Sequence, residues 1–157
     1  SPLLRALGAG VIIDMKFHVE LNENEEAISL EELPAWLDQV EIMDKGELWL
    51  GKGGKANPWW KTFLGLQSQR VEPLLSLEWC DNGACLYFHD ENWSEYRVLS
   101  KNSSVQFSQD VRAAISHGEE KPAPHDECIE KSIAFSAVRE SIKSWERPTW
   151  LEYRYVE

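Results

Sequence analysis

The dipeptide Asn82-Gly83 stands between two alternating apolar runs, and this arrangement restricts the chain more than any other feature. A two-residue hairpin turn needs positive φ at its centre, which Asn and Gly accept at little cost. With both at the turn, Cys80 faces Cys85, Trp79 faces Leu86, Glu78 faces Tyr87 and Leu77 faces Phe88, and His89 lies opposite Ser76. Leu75, Leu77 and Trp79 then share a face with Leu86 and Phe88, so pattern and register agree on an antiparallel pair with one buried side. A second turn at Asp90 to Asn92 leads into the run Trp93 to Leu99, which extends the meander. Val105 and Phe107 suggest a further strand.

The flanking segments supply the remaining elements. Phe17, Val19 and Leu21 alternate with Lys16, His18 and Glu20, the period of a strand with one buried face. The polar run Asn22 to Glu26 reads as a loop. Ser29 and Glu32 have capping-box spacing, and Leu30, Leu33, Trp36, Leu37 and Val40 recur at helical spacing, with Pro34 leaving the first helical residue open. Glu47 to Leu50 reads as a short strand, and the segment from Lys52 to Pro73 as an irregular excursion. Gly118 to Asp126 is a loop. Ser136 is placed as the N-cap of a last helix striped by Val138, Ile142 and Trp145 and stopped by Pro148. Leu151, Tyr153 and Tyr155 alternate in a closing strand. The expected fold is α+β: a single domain over residues 15–157, an antiparallel meander sheet with two helices packed on one face. Met15 reads as the natural start, and residues 1–14 as a cloning remnant or upstream extension.

Acidic residues outnumber basic ones 27 to 16, for a net charge of −11. Neutralising phosphates takes clustered Lys and Arg, so neither nucleic acid nor an anionic membrane is an expected direct partner. A basic protein is the natural complement, although acidity also serves solubility alone. The three cysteines, an odd number, form no disulfide framework and suggest a reducing compartment, the cytoplasm.

No catalytic constellation emerges. Gly51-Lys52-Gly53-Gly54-Lys55 lacks the spacing and the Ser or Thr of a phosphate loop. Cys80 and Cys85 have zinc-compatible spacing, but no second ligand pair accompanies them. No G-x-S-x-G elbow is present, and the four histidines are scattered. No metal, no cofactor and no enzymatic activity are expected. Of the eight tryptophans, Trp36, Trp79 and Trp145 fall on apolar stripes and read as core. Trp93 lies beside a turn, where an aromatic can anchor a partner. Trp59 and Trp60 have two readings, as anchors of the same kind or as cover for the open face of the sheet.

The stretch Ala137-Val138-Arg139-Glu140-Ser141-Ile142 through Arg147-Pro148-Thr149-Trp150-Leu151-Glu152-Tyr153 resembles the ending of a family of bacterial immunity proteins. These accompany polymorphic toxins of the contact-dependent growth inhibition type, notably those with deaminase-type toxin domains. Leu75-x-Leu77 through Gly83 to Leu86-x-Phe88, then Glu95-Tyr96 and Val98, is similar to the same family's central meander. The chain departs from the pattern in its longer 52–73 excursion and in Tyr153, where Trp is common. The resemblance implies a protein that binds a cognate toxin domain, a nucleic-acid-targeting deaminase or nuclease, and blocks its active site. The expected contact surface is Asp90, Glu91, Trp93 and Glu95 with Trp59 and Trp60, and a second acidic patch is Glu119, Glu120, Asp126 and Glu127. Arg147, Pro148 and Tyr153 are expected to fix the helix-to-strand turn. The rival expectations are an acidic regulatory module that binds a protein or ligand, and a small hydrolase whose site assembles only in three dimensions.

Overall fold

The computed structural model describes residues 16–52, 72–101 and 105–157. The 1–14 extension, the Gly53–Lys55 loop, and Trp59 and Trp60 lie outside the described residues. The order of elements is β1 (Lys16–Leu21), β2 (Asn24–Ser29), α1 (Leu33–Glu41), β3 (Lys45–Lys52), β4 (Glu72–Cys80), β5 (Gly83–His89), β6 (Glu95–Leu99), α2 (Gln109–Ala114), β7 (Ile129–Glu130), α3 (Lys131–Ser144) and β8 (Glu152–Val156), with a 3-10 turn at His125–Glu127. The strands form one antiparallel sheet in the order β2-β1-β3-β4-β5-β6-β8, and the short β7 pairs with the start of β5. The fold is therefore an α+β domain built on an open antiparallel sheet. Among the described residues no helix is long and apolar enough to cross a membrane.

One face of the sheet is the core. Phe17, Val19, Leu48, Leu50, Leu75, Leu77, Trp79, Leu86 and Phe88 point the same way and bury against α1 and α3. Helix α1 contributes Leu33, Leu37 and Val40; α3 contributes Phe135, Val138 and Ile142. Burying each large apolar side chain is worth about 1.5–3 kcal/mol. Phe135 meets the edge of Trp79 at 5.2 Å, and the Trp79 indole N–H donates to the Met43 carbonyl at 2.8 Å. Gly46 sits opposite Trp79 because a Cβ there would lie 2.3 Å from the indole. The two helices are tied at the surface by Arg139 of α3, which reaches Asp38 and Glu41 of α1.

The hairpin forms, but its turn lies one residue earlier than expected, which shifts every cross-strand partner by two residues. Asp81 and Asn82 make the turn, with positive φ at Asp81 (52°), and the pairs are Cys80 with Gly83, Trp79 with Ala84, Glu78 with Cys85, Leu77 with Leu86 and Leu75 with Phe88. Gly83 is thus a strand residue. It is required by close approach, since a Cβ would lie 2.8 Å from Val111 and 3.0 Å from Phe107. Aspartate tolerates the left-handed region, which frees the glycine for this contact.

Several boundaries also differ from expectation. The polar run after Leu21 is a tight turn at Asn22 and Glu23, both with positive φ, followed by strand β2 and not by a loop. Helix α1 starts at Leu33, with Pro34 in its first turn; Ser29 Oγ accepts the Glu32 amide in the turn before it. Val105 and Phe107 are not in a strand; Phe107 leads into α2, whose N-cap Ser108 accepts the Val111 amide. Helix α3 begins at Lys131 directly after β7, so Ser136 is an interior exposed residue and not its cap. It ends at Trp145 in a left-handed conformation (φ 60°), ahead of Pro148. Trp36 and Trp145 pack half-buried against the core, and the three cysteines are free.

Candidate functional site

The second face of the sheet is built from the alternate residues of the same strands. Helix α2 and the chain from Ile115 to Cys128 cover part of it, burying Cys85 and Tyr87 against Ile115, Ala123 and Cys128. The part they leave open is polar. Across it, Trp49, Ser76, Tyr87 and Arg97 stand in consecutive cross-strand register, and so do Glu47, Glu78 and Cys85. Glu47, Trp49, Ser76, Glu78, Glu95 and His117 enclose a hollow of about 210 Å³ floored by this face.

The hollow holds charge at unusual places. Glu78 is only 9% exposed, with one carboxylate oxygen taking the His117 backbone N–H at 2.9 Å. Burial raises its carboxyl above the ordinary value, against the His117 hydrogen bond, and Glu47 opposite adds to the rise. Glu47 accepts the Trp49 indole N–H at 3.2 Å. Glu95 is engaged by Arg97 through Nε and Nη2, at 3.0 and 2.8 Å. The Arg97 guanidinium also lies 4.6 Å from the Tyr87 ring centroid and reaches Glu127. His117 stacks on Tyr87 at 4.0 Å, and its Nε2 contacts the Cys85 carbonyl at 2.9 Å. That contact makes Nε2 the protonated nitrogen of the neutral ring. Burial lowers the His117 pKa to about 4.

A ridge of aromatic rings separates this hollow from a second one. His89 stacks on Trp49 (5.5 Å, 6° between planes), and Trp93 tilts against both. The second hollow, about 510 Å³, is lined by Glu72, His89, Asp90, Glu91, Trp145 and Arg147 among others. Ser76 Oγ and His89 Nε2 are 3.0 Å apart, the diagonal neighbours that the actual register creates. A serine and a base at this distance have the atoms of a nucleophilic pair. Ser76, however, is 1% exposed, and among the described residues no carboxylate accepts a hydrogen bond from the His89 ring to orient it. Burial holds the His89 pKa below its ordinary value. The contact reads as a tie between strands.

The expected surface residues divide accordingly. Trp93 is 52% exposed and sits at the head of the ridge with φ 63°, in the turn and not in the strand it precedes. Asp90 frames that turn: its Oδ1 accepts the amides of Asn92 and Ser94 at 2.9 and 3.0 Å. Glu91 is exposed on the rim of the larger hollow, and Glu95 lines the smaller one. The second acidic patch does not hold together. Glu119, Glu120 and Asp126 are exposed, but Glu127 is 2% exposed and clamped between Arg97 and Arg154. It is a structural carboxylate and not a surface one. Arg147 stacks on Tyr96 at 3.6 Å and Tyr153 donates to the Pro148 carbonyl, so the Arg-Pro turn is held from within as expected.

Glu47, Trp49, Ser76, Glu78, His89 and His117 were not legible as a site. Polar residues alternating with Leu48, Leu50, Leu75 and Leu77 read as a solvated strand face, and His117 comes from a loop distant in sequence. The one available signal was Ser76 and Glu78 inside the central hairpin, where both faces of a strand are usually covered. Among the described residues no group of His, Cys, Asp and Glu side chains is arranged to hold a metal ion. Neither a family model nor a curated protein matches the chain.

Proposed function

We propose that this chain binds a basic toxin domain in the cytoplasm and neutralises it by covering its active site. The observation that carries the reading is the acidic, aromatic second face, with Glu47 and Glu78 free of ion pairs among the described residues and the exposed Trp93 packed against Trp49, which lines the same hollow. A protein partner with positive potential is attracted to such a face, and an exposed tryptophan supplies the apolar anchor that charge alone lacks. A toxin domain that acts on nucleic acid is positively charged where its substrate's phosphates lie, and that surface is the one an acidic cover competes for. The family resemblance of the C-terminal half points the same way.

Co-expression with the toxin C-terminal domain encoded beside this gene is the test. The expected result is a viable cell and a co-purifying pair, with Trp93→Ala weakening the complex about 10-fold or more while the unfolding midpoint stays put. Continued killing, with no complex recovered, overturns the proposal.

A further inference from the structure

The smaller hollow contains a pairing that stability does not explain. Glu47 and Glu78 are directly opposite on adjacent antiparallel strands and on the same face. Like charges so placed are destabilising. Neither carboxylate is in an ion pair among the described residues; Lys45, the cation that acts on Glu78, stays outside pairing distance. Each carboxylate has one oxygen in use, Glu78 with the His117 amide and Glu47 with the Trp49 indole, and one without a hydrogen bond among the described residues. Glu78 is 9% exposed and Glu47 is exposed, and the two line both this hollow and a neighbouring one of about 320 Å³ shared with Asn22, Lys45 and Ala114.

We infer that the hollow receives a guanidinium group, the side chain of an arginine on the protein partner. The inference rests on the toxin-binding reading and names the chemistry of its central contact. Two opposed carboxylates with Cβ atoms roughly 5 Å apart match the span of a planar fork carrying five N–H donors. An ammonium is a compact, strongly hydrated point charge and meets one oxygen pair at a time. A metal ion needs several converging ligands, an arrangement that the described residues do not provide. Trp49 forms a wall against which a guanidinium plane can lie. The third carboxylate, Glu95, is already committed to Arg97 and shapes the far side. Arg97 itself shows this face holding a guanidinium between carboxylates and an aromatic ring.

The experiment titrates the full chain with Nα-acetyl-arginine amide, following the Trp49 indole N–H by NMR, with the lysine and citrulline analogues as comparisons. Saturable binding with a dissociation constant on the order of 1–10 mM is expected for so small a probe. The arginine analogue should bind about 10-fold more tightly than either comparison, and Glu78→Gln should weaken it about 10-fold. Glu31→Gln, exposed just ahead of α1 and not among the residues that line the hollow, should leave it unchanged, which separates the site from general attraction to an acidic protein. Absence of saturation, equal binding of citrulline, or indifference to Glu78→Gln overturns the inference. A chain that protects against its toxin yet ignores the probe refutes the guanidinium site alone. A chain that takes the probe through Glu78 yet binds no toxin refutes the toxin reading and leaves the site standing.

Discussion

Strand β4 shows two kinds of chemistry on its two sides. Leu75, Leu77 and Trp79 face the helices and are wholly buried; Ser76 and Glu78, between them, are almost as buried but face the polar hollow. On the first side each neighbour improves the next: Trp79 finds the small Ala84 and the missing side chain of Gly46, and Leu77 finds Leu86. On the second, a carboxylate is withdrawn from water opposite another carboxylate. Burying charge without a partner costs free energy that packing must offset. The helix-covered side is explained by folding alone. On the other side the cluster of Cys85, Tyr87, Ile115, Ala123 and Cys128 serves folding in the same way, whereas the opposed Glu47 and Glu78 do not.

That contrast can be broken or sharpened by substitution, and the largest effect is expected on the helix side. Trp79→Ala should lower stability by about 3–5 kcal/mol through the cavity it leaves, read by urea unfolding. A loss under about 1 kcal/mol would mean that the two sides are not so different. Glu127→Ala comes next, at about 2 kcal/mol, because it removes a buried carboxylate that accepts from both Arg97 and Arg154, which keep Glu95 and Asp126 as their remaining partners. It tests whether a compensated carboxylate on the second side behaves as structure.

The pH dependence of stability should follow. His117 is held neutral in the folded chain down to about pH 4, while the unfolded chain takes up its proton near 6.5. Between those values the unfolded state binds more protons, so stability falls as pH drops from 6.5 to 4, by up to about 3 kcal/mol for this group. Glu78 works in the opposite sense: its raised folded pKa favours the folded state as pH falls toward 4.5, a gain lost again as pH rises through that folded pKa. His117→Gln should flatten the slope of unfolding free energy over that window. The smallest effect is the most telling: Glu47→Gln should stabilise the fold by about 0.5 kcal/mol, because it relieves the opposed pair. A destabilised variant would show that the pair serves folding after all.

The helix side was largely readable from alternation, since Leu75 to Trp79 and Leu86 to Phe88 announce a hairpin and its buried face. Its register was not. The position of Gly83 is decided by Phe107 and Val111, more than twenty residues later, and no local rule for Asn-Gly turns includes them. The start of α3 was missed for a related reason: β7 runs straight into it, its N-cap Glu130 makes no side-chain capping bond, and no capping signal marks the join. On the second side, the turn ahead of Trp93 and the charges of Glu91 and Glu95 were legible because turns and charge are local. The hollow was not, because it is made by Glu47, Glu78 and His117 from three separate segments. Burial of Glu127 was equally hidden, its partners Arg97 and Arg154 being distant in sequence.

The turn that carries Trp93 has a consequence for encounter. Two amides bound to one Asp90 oxygen, with the Asp90 amide bound in turn to the Ser94 carbonyl, tie the indole's backbone into a single hydrogen-bonded turn. A molecule that closes over this ring therefore surrenders little chain entropy at the moment of contact, and more of the attraction is left to appear as residence time.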